Sequence, residues 1–192
     1  VVGLMALLGL VCGDRIRALA ASYDDVAGSP PAWSPELATV AVTALVAWRA
    51  GPPYVPFAVI GVALAVVDSR TYTLPDAITL PAYPVVGLAL APTGELPRAL
   101  AGGAALAAAY GLLWLARPDA LGLGDVKLAG LIGLATGALG WQALVLAAFL
   151  GQLSGALYGL SLLLTGRGGR HTQFPFGPFM LLGAFATLCL VW

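Results

Sequence analysis

The stretch Leu121-Gly122-Leu123-Gly124-Asp125-Val126-Lys127-Leu128 sets a carboxylate and an ammonium directly before the apolar run Leu128–Leu139. Charges beside so long an apolar run are costly in lipid and call for a reason. Around this stretch the chain is 60% hydrophobic and 9% charged over its 192 residues, whereas a soluble domain carries roughly a quarter charged residues. One water-facing core cannot hide that much apolar surface. The apolar runs are continuous rather than alternating, which predicts an all-α, polytopic membrane helix bundle and not a barrel. Nine basic and nine acidic residues give no net charge, so no nucleic-acid face is expected.

About eight apolar segments divide the chain as one membrane domain, residues 1–192. They are Val1–Cys12, Leu37–Trp48, Tyr54–Val67, Ala77–Ala91, Ala99–Ala116, Leu128–Leu139, Trp141–Leu164 and Phe179–Trp192. The amphipathic Ile16–Ala21 can extend the first, and a Pro-rich loop, Ser22–Pro35, follows it. Arg49-Ala50-Gly51-Pro52-Pro53 separates the second from the third. Because the N-terminus lacks a charged n-region, Val1–Gly13 reads as a membrane helix and not a signal peptide. No internal repeat is visible.

If the segments alternate, Arg15, Arg17, Arg70, Arg117, Lys127, Arg167 and Arg170 share one side, and Arg49 and Arg98 lie on the other. The positive-inside rule makes the first side cytoplasmic. Asp68 ends the third segment and Asp125 precedes the sixth, so both belong to that side. Two ridges of small residues, Ala129-Gly133-Gly137 and Gly151-Gly155-Gly159, mark expected close helix approaches; the first continues the turn that carries Asp125.

Asp125 on its own also fits a helix N-cap. Asp68 lies near a helix C-terminus, where the dipole disfavours an anion, and a salt bridge to Arg70 is the structural alternative to a catalytic role. Asp76 is placed to N-cap the fourth segment. Two carboxylates at one membrane depth suit proteolysis by activated water: one ionised group takes a proton from water while the other, protonated, polarises the scissile carbonyl. The helix-end argument makes Asp125 the ionised partner and Asp68 the protonated one.

Three motifs in order, Asp68-x5-Leu74-Pro75-Asp76, Gly122-x-Gly124-Asp125-x-Lys127-Leu128 and Pro175-Phe176-Gly177-Pro178-Phe179, resemble the type IV prepilin peptidase family. These are Gly-x-Gly-Asp intramembrane aspartic proteases, similar in active-site logic to preflagellin peptidases and presenilin. The resemblance runs from about Tyr54 to the end of the chain. It implies that Asp68 and Asp125 are the catalytic pair, supported by Arg70, Leu74, Pro75, Asp76, Gly122, Gly124, Lys127, Pro175 and Gly177. It further implies cleavage of the leader from prepilin or pseudopilin precursors, in contact with membrane lipid, at the cytoplasmic face of the bacterial inner membrane.

Many members of that family carry a large cytoplasmic domain after the first span, often with two Cys-x-x-Cys pairs, associated with N-methylation of the product. Here only about Asp14–Pro35 occupies that place. Gly13-Asp14-Arg15-Ile16-Arg17 stands where the family usually has Gly-Ser-Phe-x-Asn. The expectation is a compact peptidase without methyltransferase activity. Neither Cys12 nor Cys189 belongs to a Cys pair motif, and His171 is the single histidine, so no metal and no cofactor is expected. A rhomboid-type serine protease does not fit, because Gln152-Leu153-Ser154-Gly155 lacks the required glycine. His-Glu-x-x-His is absent, which removes a zinc protease. The remaining alternative is a small proton- or ion-coupled transporter or assembly scaffold, whose carboxylates belong near the bilayer midplane. His171, Arg167 and Arg170 read as topology and headgroup contacts.

Overall fold

The computed structural model describes residues 34–118, 121–167 and 174–191. The first apolar segment with Cys12, the Gly13–Arg17 stretch, residues 18–33 of the following segment and loop, Arg170, His171 and Trp192 lie outside the described residues. The rest is helical: α1 (Ser34–Arg49), α2 (Val55–Thr71), α3 (Asp76–Leu90), α4 (Leu96–Ala116), α5 (Leu123–Leu139), α6 (Trp141–Leu164) and α7 (Gly177–Leu190). Among the described residues there is no strand. By length and composition, three helices suffice to cross a membrane: Pro52–Thr71, which includes a 3₁₀ turn, Leu96–Ala116 and Trp141–Leu164. Gly177–Leu190 is a shorter apolar helix. The expected count of about eight spans therefore stands at those three among the described residues.

The breaker between the second and third segments is a corner. Gly51 adopts φ 91°, which an L side chain resists, and Pro52–Tyr54 then forms the 3₁₀ turn that starts the next helix. α5 sits at the centre: every residue from Leu128 to Ala138 is buried. A helix that is apolar all round can be satisfied only by protein or lipid on every side. Here α3, α4, α6 and α7 all pack against it.

α4 shows why small residues face inward. Its buried positions are Ala99, Gly102, Gly103, Leu106 and Tyr110. Leu112 and Leu115, by contrast, point outward and are each 68% exposed. This is the reverse of a water-soluble helix, and it suits a lipid environment, where close backbone approach replaces the hydrophobic drive for association. A Cβ added at Gly102 would lie 2.7 Å from the Gly133 carbonyl oxygen and 2.8 Å from Gly137 Cα. The ridge in the Asp125 helix is thus the α4 contact. The second ridge joins α6 to α7, where a Cβ on Gly151 would lie 3.1 Å from Met180 Cα.

The helices alternate in direction and sort the polar groups to two ends. At one end the two minority arginines donate to helix C-termini: Arg49 Nε to the Cys189 carbonyl at 2.9 Å, and Arg98 Nη2 to the Ala138 carbonyl at 2.8 Å. Cations there satisfy last-turn carbonyls and complement the dipole. Asp68, Asp76, Asp125 and Lys127 gather at the opposite end.

Gly102→Val forces a branched side chain into the α4–α5 backbone contact and is expected to cost about 1–3 kcal/mol or abolish folding. At Gly87 a Cβ meets nothing within 4 Å, so Gly87→Ala is expected to be neutral or stabilising by up to about 1 kcal/mol. Thermal unfolding of the two variants in detergent checks the contrast.

Candidate active site

The site is built from three helix ends and the short link between α2 and α3. Asp68 lies in the last turn of α2 and is buried, 4% exposed. Tyr72 closes that helix in the left-handed region, φ 55°, with its N–H on the Asp68 carbonyl. The Asp68 carboxylate turns across the bundle and accepts the Gly177 N–H at 2.9 Å. Arg70 lies two residues further along the chain, but the hydrogen bond to the Asp68 carboxylate runs across the bundle. The partner is instead the first turn of α7, and the reason lies in the Phe176-Gly177-Pro178 lead-in. Pro178 has no N–H, and the N–H groups of Phe179 and Met180 turn back onto the Phe176 carbonyl. That leaves the Gly177 N–H to point outward, and Asp68 takes it. A Cβ on Gly177 would lie 2.7 Å from Asp68 Oδ2, so only glycine allows this approach.

Asp68 therefore sits at the C-terminus of its own helix and at the N-terminus of another. The unfavourable local dipole is offset by a favourable one supplied through tertiary structure. The helix-end argument for assigning the ionised partner loses its force, because both aspartates now lie at a helix N-terminus.

α5 begins at Leu123, two residues before Asp125, so Asp125 is the third residue of the helix and not its N-cap. Its Oδ2 accepts the Gly122 N–H at 3.1 Å, while its own N–H donates to the Gly122 carbonyl at 3.1 Å. This is half of a capping box, closed on the other half by backbone alone. Asp125 is the charged side chain whose field reaches Asp68.

The other motif residues interlock around the pair. Leu74 packs on Gly124, where a Cβ would lie 3.0 Å from Leu74 Cβ. Asp76 is the first residue of α3, Pro75 holds the cap position, and no side-chain cap bond forms. This corrects the N-cap reading of Asp76. Its Oδ1 instead takes the Lys127 Nζ at 2.6 Å. Pro175 precedes the α7 lead-in, and Phe176 lies against Gly155, where a Cβ would be 2.7 Å from the ring. Tyr158, Phe174 and Phe179 form an aromatic cluster beside it, with centroids 5.0 to 5.8 Å apart.

Two tyrosines escaped the sequence reading. The Tyr83 hydroxyl donates to the Lys127 carbonyl at 2.6 Å, and buried Tyr110 on α4 feels the charge of Asp125. No spacing rule flags either, since each reaches the site from a different helix. No group of three or more His, Cys, Asp or Glu side chains suited to a metal occurs among the described residues.

Residues 55–160 match the model of the type IV leader peptidase family. The chain belongs to that family. It is also 32% identical over 166 residues to the prepilin leader peptidase/N-methyltransferase of Burkholderia pseudomallei strain 1026b, covering 80% of this chain and 52% of the relative. The protein of the same name from strain K96243 matches equally. The chain spans about half the length of these curated relatives. No solved structure matches it significantly. The family match contains both aspartates and Lys127 but stops before Gly177.

Removing the Tyr83 hydroxyl as Tyr83→Phe is expected to lower stability by about 0.5–1.5 kcal/mol. Gly177→Ala is expected to cost about 1–3 kcal/mol, because the added methyl displaces the Asp68 carboxylate. Thermal unfolding in detergent reads both.

Proposed function

We infer that this chain is an intramembrane aspartic endopeptidase that cuts the leader from type IV prepilin-like precursors at the cytoplasmic face of the inner membrane. The observation that carries the reading is the meeting of Asp68 and Asp125 at one end of the bundle, each held by a glycine N–H. Two carboxylates that feel each other titrate as a unit. With one proton on the pair, the ionised carboxylate takes a proton from water, and the water oxygen attacks the scissile carbonyl carbon. The protonated carboxyl donates a hydrogen bond to the carbonyl oxygen as charge develops there. Collapse of the tetrahedral intermediate breaks the C–N bond, and the proton taken from water passes to the leaving amine. The proposal covers cleavage alone.

Membership of the leader peptidase family supports the reaction class, and the names of the relatives support the substrate class. The position of the pair favours a peptidase over a proton path. Both carboxylates lie at helix ends, Asp68 in the last turn of α2 and Asp125 in the first turn of α5. A transport path places such groups at mid-membrane.

Asp68→Asn and Asp125→Asn are each expected to abolish leader removal from a co-expressed prepilin, read as the mass of the product. An asparagine side chain in place of Asp68 still offers a carbonyl oxygen to the Gly177 N–H, so the fold survives and the loss reports chemistry. Asp76→Asn is expected to retain cleavage, because its pair with Lys127 is half exposed and contributes about 1 kcal/mol at most. Processing at near the normal rate by either D68N or D125N overturns the mechanism.

Topology has its own test in a background lacking Cys12 and Cys189. Thr73→Cys is expected to react with a membrane-impermeant thiol reagent only after permeabilisation, and Pro92→Cys from outside intact cells. The reverse pattern would put the site on the wrong face.

A further inference from the structure

α6 is long and apolar enough to cross a membrane, and Gln152 stands at the middle of its 24 residues. One side of α6 is already used. Gly151 and Gly155 lie against α7, where added Cβ atoms would come within 3.1 Å of Met180 Cα and 2.7 Å of the Phe176 ring. Gln152 faces away from that contact and is exposed. Its amide makes no hydrogen bond to any described residue, its own helix included. Roughly 17 Å of helix separates it from either end, too far for the side chain to reach water. An amide in hydrocarbon is costly without a partner.

The residues around it form a seam. Val145, Phe149, Gln152, Ala156 and Leu163 are all exposed. They follow one another at intervals of four, three, four and seven residues, the heptad spacing by which two helices pack side by side. Ala156, one turn from Gln152, is small enough to let a second backbone come close. Between Phe149 and the start of the helix the same face carries a hollow of about 470 Å³, bounded by Trp141 and Val145, with room for a facing side chain.

We propose that this face of α6 pairs with the same face of a second copy of the chain, in a two-fold dimer whose axis passes beside Gln152. Depth selects the occupant. Copies of one chain insert in one orientation, so their α6 helices run parallel and Gln152 meets Gln152 at the same depth. A side-chain amide carries both donor and acceptor, so the two close on each other with N–H···O=C bonds in both directions. A lipid tail offers no such partner, and an apolar helix leaves the amide unpaired. A polar residue in a heptad seam also fixes the register of the pair. α6 then stands between two contacts, α7 on one side and the second copy on the other. Asp68 and Asp125 belong to α2 and α5, so each copy keeps its own carboxylate pair. The pairing does not depend on the peptidase reading.

The first test uses single cysteines in a background lacking Cys12 and Cys189, treated with a lipid-soluble oxidant in native membranes. Val145→Cys and Ala156→Cys are expected to give disulfide-linked dimers. Leu153→Cys and Leu157→Cys are expected to give none. Those two are also exposed, at 41% and 57%, but each follows a seam residue and points roughly 100° further round the helix. The second test measures dimer dissociation by energy transfer in liposomes of varied protein-to-lipid ratio. Gln152→Leu is expected to raise the dissociation constant about tenfold, and Gln152→Asn, which keeps an amide, to change it by no more than about threefold. Thermal unfolding of Gln152→Leu in detergent is expected to match the wild type, which shows that the loss is of pairing and not of fold. Linking at all four cysteine positions alike, or at none, overturns the proposal. So does a Gln152→Leu protein that dimerises as tightly as the wild type.

Discussion

The hydrogen bond from the Gly177 N–H to the Asp68 carboxylate is the contact on which the site depends. It solves two problems at once. The first turn of α7 begins within the bundle, where a free N–H costs about 1–3 kcal/mol. The end of α2 carries a buried carboxylate facing the negative end of its own helix dipole. Each group is unfavourable alone, and together they satisfy one another. Because the two residues stand 109 positions apart in the chain, the bond also fixes how α2 and α7 lie.

The remaining contacts at this end act as positioning devices for α5. Lys127 ties its first turn to the start of α3 through Asp76, and Tyr83 reaches the backbone of the same residue. Gly124 lets Leu74 of the α2–α3 link settle directly over the turn that carries Asp125. The three motifs therefore form three separate contacts between different helix ends. The aromatic cluster of Tyr158, Phe174 and Phe179 holds the lead-in to α7 against α6 and so steadies the Gly177 donor from behind.

The opposite end gives the charge distribution a physical basis. Arg49 and Arg98, the two cations on the minority side, cap the C-termini of α7 and α5. Their presence there follows from unsatisfied carbonyls, so they do not weaken the positive-inside argument drawn from the other seven. Glu95 pairs with Arg98 at 3.0 Å and neutralises it on that face. Charge on one side serves helix ends; charge on the other gathers around the carboxylate pair.

The all-helical class, the breaks between segments, the sharing of one end by Asp68 and Asp125, and the residues of the three motifs are legible in the chain before it folds. Apolar runs, prolines and glycines act locally, and alternation of helices orders the ends. Both small-residue ridges are legible too, since a spacing of four residues places them on one helix face. The partners are not. Arg70 is the near neighbour of Asp68 along the chain, but Gly177 is its neighbour in space. Asp76 looks like a cap and is half of an ion pair. Tyr83 and Tyr110 carry no local signal at all. These pairings arise only in the folded bundle, because a hydrogen bond across it depends on how helices from distant parts of the chain are placed, and no local pattern encodes that placement.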